Sequence, residues 1–189
     1  MRLRLNVRKP PRIKKTRTLW ALAAIGGLLH SVANYPSLAA DADKSPPIKI
    51  AVFDFELEDA SPAASLLGET TSSTAIMKKV STEARRMFAE SGRYSLIDVS
   101  KVDAKAVLEK SLRNCEGCDA GIALQLGAEQ SLVGIVRRVT QTDYYVLIQI
   151  TDARSGKVLN QQEANFAGGA DGWASGVRML IKHQVLVGN

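Results

Sequence analysis

Between residues 48 and 57, apolar side chains fill both alternating sets of positions. Ile48, Ile50 and Val52 form one set; Ala51, Phe53, Phe55 and Leu57 form the other. Strand side chains alternate between faces, so this segment predicts a central strand covered on both sides. Residues 58–73 are dense in Asp, Ser, Pro, Gly and Thr and read as a loop. From about residue 73 to 91 the spacing becomes helical. Ile76, Val80, Ala84, Met87 and Phe88 fall near one stripe, and Gly92 ends it. Residues 94–99 predict a second strand, parallel to the first through a right-handed crossover. Ser100, with Asp103 three residues on, is placed to cap a helix ending near Asn114. Asp119 is placed to cap a short helix that turns Ile122 and Leu126 inward and closes at Gly127.

Three strands then follow without a helix, at about 131–140, 144–152 and 157–166. Their short polar links predict an antiparallel meander. Tyr144, Val146, Ile148 and Ile150 share one face. The last strand carries Asn160, Gln161, Gln162 and Glu163, as an edge strand or one with a wet face would. After a hinge at Gly168-Gly169, Asp171 is placed to cap a final helix with Trp173, Val177, Leu180, Ile181 and Val185 as its apolar stripe. The order βαβααβββα gives an α/β (α+β) fold, a mixed sheet with helices packed against it. It forms a single domain over residues 48–189, after a flexible linker at 40–47 that ends in Pro46 and Pro47.

The formal net charge of +6 belongs to the start of the chain. Residues 1–39 hold eight basic and no acidic residues; the remainder holds 17 basic and 19 acidic residues. Without a basic body, nucleic-acid binding loses its support. A basic stretch ends at Arg17, an apolar run covers 19–29, and small residues follow at Ser31-Val32-Ala33 and Ser37-Leu38-Ala39. This is the layout of a secretory signal peptide, with cleavage expected near Ala39 or Ala40 and delivery to the periplasm. The alternative is an inner-membrane anchor through residues 19–33, but the run is short for a span and His30 interrupts it. No stable membrane insertion is expected after cleavage.

Cys115 and Cys118 are the two cysteines of the chain. In an oxidising compartment they are expected to form a disulfide, a staple for the turn between two helices. The alternative is a redox-active pair. Haem attachment would need a His where Asp119 stands, and zinc would need further ligands. Asp54, Glu56 and Glu58 alternate onto one strand face, which could gather a hard cation or a partner contact. The alternative is a strand end rising into solvent. His183 reads as a surface residue of the last helix. Ser61, Ser65, Ser72 and Ser73 lack a Gly-x-Ser-x-Gly frame, so no catalytic residues, metal ligands or cofactors are assigned. Arg137 and Arg138 make a two-residue basic spot that alternation splits between the two faces; the alternative is salt pairing with Glu163 across the sheet.

The segments 48–59, 91–99 and 114–119, with Leu126-Gly127-Ala128, Gly134 and residues 152–156, resemble a family of short secreted proteobacterial proteins classed as a domain of unknown function. The resemblance spans essentially the whole chain after the leader. A looser likeness, carried by residues 50–55, 126–134 and 145–158, is to the periplasmic domains of the Tol-Pal translocation protein and of curli-secretion channels. That likeness implies a binding or assembly module. The expectation is an exported, non-catalytic accessory protein that holds an envelope protein partner by a sheet edge or helix face. The alternative is a thiol-disulfide redox protein using Cys115 and Cys118.

Overall fold

The computed structural model describes residues 45–62, 64, 71–101, 111–115 and 117–187. The leader, Asp103 and the body of its helix, and the side chains of Ser65 and Ser72 lie outside the described residues. Asp43–Asn189 is one compact unit.

The first strand is broken in two, β1 (Ile48–Val52) and β2 (Glu56–Asp59). Both run parallel to β4 (Gln130–Arg138), Val52 opposite Leu132 and Glu56 opposite Ile135. Phe53, Asp54 and Phe55 thus span a place that two residues fill on β4. An extra residue makes a bulge and turns every later side chain to the other face. Phe55 and Leu57 therefore join Ile50 and Val52 in the larger core cluster, while Ala51 and Phe53 face the smaller one. This corrects the simple alternation expected over residues 48–57. The bulge is held by Phe53 N–H, which donates to Leu132 O at 3.1 Å, and by Phe55 N–H, which donates to the buried Ser81 Oγ at 2.9 Å.

Ser81 belongs to α1 (Thr71–Glu90), which starts where a loop was expected. Its Met77, Val80, Ala84 and Phe88 are buried at three- and four-residue spacing. Gly92 follows at φ +70°, a conformation that costs glycine least. The chain then enters β3 (Tyr94–Leu96), shorter than expected because Asp98 accepts a hydrogen bond from Ser100 N–H and turns the backbone into a 3₁₀ turn, Val99–Lys101. After another 3₁₀ turn, Leu112–Asn114, comes α2 (Cys118–Gln125). Asp119 is not its cap. Gly117 holds that place, and Asp119 is buried, its carboxylate accepting a hydrogen bond from Ser131 Oγ on β4.

β5 (Asp143–Asp152) and β6 (Val158–Ala167) complete the antiparallel meander with β4. The sheet order is β3-β1-β4-β5-β6, with β2 beyond β1 on β4. It is a mixed sheet, as the pattern predicts. A third 3₁₀ turn, Ala170–Gly172, leads into α3 (Trp173–Leu180), continued by a π-helical turn, Ile181–Val185. Asp171 lies in that 3₁₀ turn and Gly172 takes the cap position without a side-chain bond, so the expected Asp171 cap does not form. The α1 and α3 helices cover the larger cluster, whose fully buried members include Trp173, Phe88, Ile50 and Leu132. On the other face, α2 and Leu112 cover the smaller cluster of Ala51, Phe53, Ala123, Ala128, Val133 and Ala153.

Candidate functional site

β6 is an edge strand, and its outer side pairs with no strand among the described residues. Asn160, Gln162, Ala164 and Phe166 are half-buried toward the helices, whereas Gln161, Glu163 and Asn165 are exposed. Antiparallel ladders alternate between pairs that exchange both hydrogen bonds and pairs that exchange none. Gly168 N–H donates to Thr142 O at 2.6 Å, and the same register places Phe166 opposite Tyr144 and Ala164 opposite Val146. Even-numbered residues from 160 to 166 therefore spend their backbone groups on β5. Gln161, Glu163 and Asn165 direct N–H and C=O outward. Natural sheets blunt such edges with lysine, proline or bulges. From Val158 to Ala167 there is no Lys, Arg or Pro. A bulge falls only at the start, where Thr151 faces Val158 and Ile150 faces Asn160, with Leu159 unpaired between them.

A belt of polar side chains anchors this edge on the face opposite α1 and α3. Arg137 Nε donates to Glu58 Oε2 at 2.9 Å, and its guanidinium lies 5.9 Å from the centre of the Tyr145 ring. Tyr145 Oη in turn donates to the Glu163 carboxylate on β6. Burial and that carboxylate push the Tyr145 phenol up to about 12. The belt ties β2, β4, β5 and β6 together. It also corrects the alternative pairing of Arg137 and Arg138 with Glu163, since Arg138 holds Asp59 instead. The partner could not be read from the chain because β2 lies against the end of β4 only through the bulge.

The acidic residues singled out on the first strand go to separate partners. Asp54 pairs with Arg85 at 3.0 Å. Glu56 accepts from Ser111 Oγ and, at 2.6 Å, from Leu112 N–H. Glu58 pairs with Arg137 at 2.9 Å. Among the described residues no three His, Cys, Asp or Glu side chains gather as metal ligands. His183 is exposed in the π-helical turn. Cys115 and Cys118 are bridged, Cα atoms 5.5 Å apart, and both pack against the smaller cluster.

The Asp59–Arg138 pair gives a pH-dependent prediction. Arg138 Nε donates to Asp59 Oδ1 at 3.0 Å, Arg138 Nη2 donates to Oδ2, and Ser61 N–H adds a bond at 3.1 Å. Arg138, first, holds the Asp59 carboxyl well below its ordinary value of 3.8. A depressed folded-state value stabilises fully above the unfolded value, and that stability is lost as pH falls below it. Urea unfolding at neutral pH should show Arg138→Met less stable by about 2 kcal/mol, a hydrogen-bonded and mostly buried ion pair being broken. The difference should shrink progressively below about pH 4 and should still be partly present near pH 2 to 3, because the folded-state carboxyl stays ionised there.

Among the described residues no helix is long and apolar enough to cross a membrane. No curated protein sequence matches the chain. Among solved structures the chain is similar to the LpoB C-terminal domain from Salmonella enterica, at 15% identity and TM-score 0.47, covering 66% of this chain and 86% of that one. It is also similar to lipoprotein GNA1162 from Neisseria meningitidis, at 16% identity and TM-score 0.43, covering 74% and 94%. TolB from Acinetobacter baumannii is a further likeness, at 16% identity and TM-score 0.37, covering 74% and 29%. Residues 48–185 match the sequence model of the family described as "Protein of unknown function (DUF2380)", and the chain belongs to that family.

Proposed function

We propose that this chain is exported, loses residues 1–39, and serves in the periplasm as a non-catalytic accessory module that adds an extended segment of an envelope protein to the outer edge of β6. The observation that carries the reading is the row of outward backbone groups at Gln161, Glu163 and Asn165 on an edge with no Lys, Arg or Pro. Strand addition draws affinity from main-chain hydrogen bonds and specificity from the side chains between them. Asn and Gln side chains on both faces of β6 offer donors and acceptors without fixing a charge.

Gln161→Pro removes one outward N–H and leaves the β5 ladder intact, as proline on an edge strand allows. The tagged wild-type chain should retain a partner from periplasmic extract, and Gln161→Pro should lose at least about tenfold of it, the worth of one or two hydrogen bonds. Equal retention by a variant with an unchanged melting curve would remove β6 from the account.

The bridge between Cys115 and Cys118 supports export, since disulfides persist in oxidising compartments. Its role in this reading is to fix the turn before α2. Closing so short a loop is worth about 2 kcal/mol. Reduction should therefore lower the melting temperature by several degrees without loss of partner retention. A reduction potential above roughly −300 mV would instead mark a labile, redox-active pair.

A further inference from the structure

The two helices over the larger cluster carry a concentration of positive charge. Residues 71–93 and 173–187 hold seven lysines and arginines against Glu83 and Glu90, although the chain beyond residue 39 is acidic as a whole. Glu83 is shared by Arg86 at 2.8 Å and Arg178 at 2.9 Å, which locks α1 to α3. Those two arginines, Arg86 first, hold the Glu83 carboxyl down at about 2. Glu90 is taken by Arg86 at 2.7 Å. Both glutamates are thus spent. Lys78, Lys79 and Lys182 are exposed and have no ion pair among the described residues.

Exposed apolar side chains lie in and just after the helical segment that carries Lys182. Met179 is 51% exposed and Val187 70% exposed. A cleft of about 330 Å³ is lined by Met87 and Leu186 together with Arg86, Glu90, Arg178 and Lys182. Free lysines beside exposed apolar side chains make a face suited to the boundary between headgroups and acyl chains.

We propose that the face formed by α1 and α3 rests on an anionic phospholipid surface. The lysines reach the phosphate layer, and Met179 and Val187 enter just beneath it. The proposal does not depend on the β6 reading, because it uses other residues and another ligand. Each lysine near an anionic bilayer strengthens binding by about fivefold, and salt weakens it.

The test uses the full chain with Met179→Cys carrying an environment-sensitive dye; Cys115 and Cys118, being bridged, do not take it up. A leader that binds lipid by itself leaves a dye at this position in water. Vesicles of phosphatidylglycerol mixed with phosphatidylcholine should shift the dye emission to the blue, and phosphatidylcholine alone should not. K78E/K79E/K182E should raise the lipid concentration at half-shift by roughly tenfold or more. If that variant melts early, K78Q/K79Q should give a smaller change of the same sign. No shift, an equal shift on neutral vesicles, or an unchanged half-shift in a folded variant would overturn the proposal. A shift caused by polyglutamate but not by vesicles would overturn it in favour of an acidic protein.

Discussion

Gly134→Val should lower the unfolding free energy by about 3 kcal/mol, with the Phe55 ring as the cause. A Cβ at position 134 would meet that ring at 2.2 Å, and the ring is buried, with Gly134 also fully inside the sheet. Phe55 cannot move aside cheaply. Its backbone N–H is fixed to Ser81 Oγ, and Ser81 Oγ is itself fixed to Met77 O at 2.9 Å. Urea unfolding measures the loss. The cause is separated by a double-mutant cycle, since the cost of Gly134→Val should fall by 1 kcal/mol or more when Phe55 is already alanine. If the two changes are additive, the ring does not lie over Gly134.

Gly176→Val is the second large effect, also about 3 kcal/mol. A Cβ there would lie 2.4 Å from Tyr144 Oη. Tyr144 is buried, its ring stacked on Phe166 at 5.4 Å between centroids, and Oη donates to Gly172 O at 2.8 Å. One ring thus sets how closely α3 approaches the start of β5. Tyr144→Phe should cost about 1 kcal/mol alone, the worth of the lost hydrogen bond. It should also relieve part of the Gly176→Val penalty, because the nearest atom is gone. Thermal unfolding of the four proteins decides it, and a penalty unaffected by Tyr144→Phe would count against this packing.

Much of the fold was legible because burial is periodic. Val80, Ala84 and Phe88 announce α1, and Tyr144, Val146, Ile148 and Ile150 announce β5, since each set must meet one core. The meander and the parallel pairing of β1 with β3 follow from the lengths of the links. What escaped depends on partners distant in sequence. The bulge rests on Ser81, 26 residues from Phe55, and no local pattern marks it. Asp119 looks like a cap until Ser131 is seen across the smaller cluster. Arg137 and Arg138 looked toward Glu163 because β2 could not be placed opposite them without the bulge. At the candidate site, the wet outer row of β6 was visible in its amides. Which backbone groups face outward was not, because that depends on the register set where Gly168 N–H meets Thr142 O.

Amide hydrogen exchange resolved along β6 reports directly whether a partner joins that edge as a strand. In the free protein, the amides of Gln161, Glu163 and Asn165 should exchange quickly while those of Gln162, Ala164 and Phe166 are protected by β5. With the captured partner bound, the three outward amides should slow by roughly tenfold or more, as amides do on joining a ladder. A bound partner that leaves those three amides exchanging as fast as before would contradict strand addition at β6.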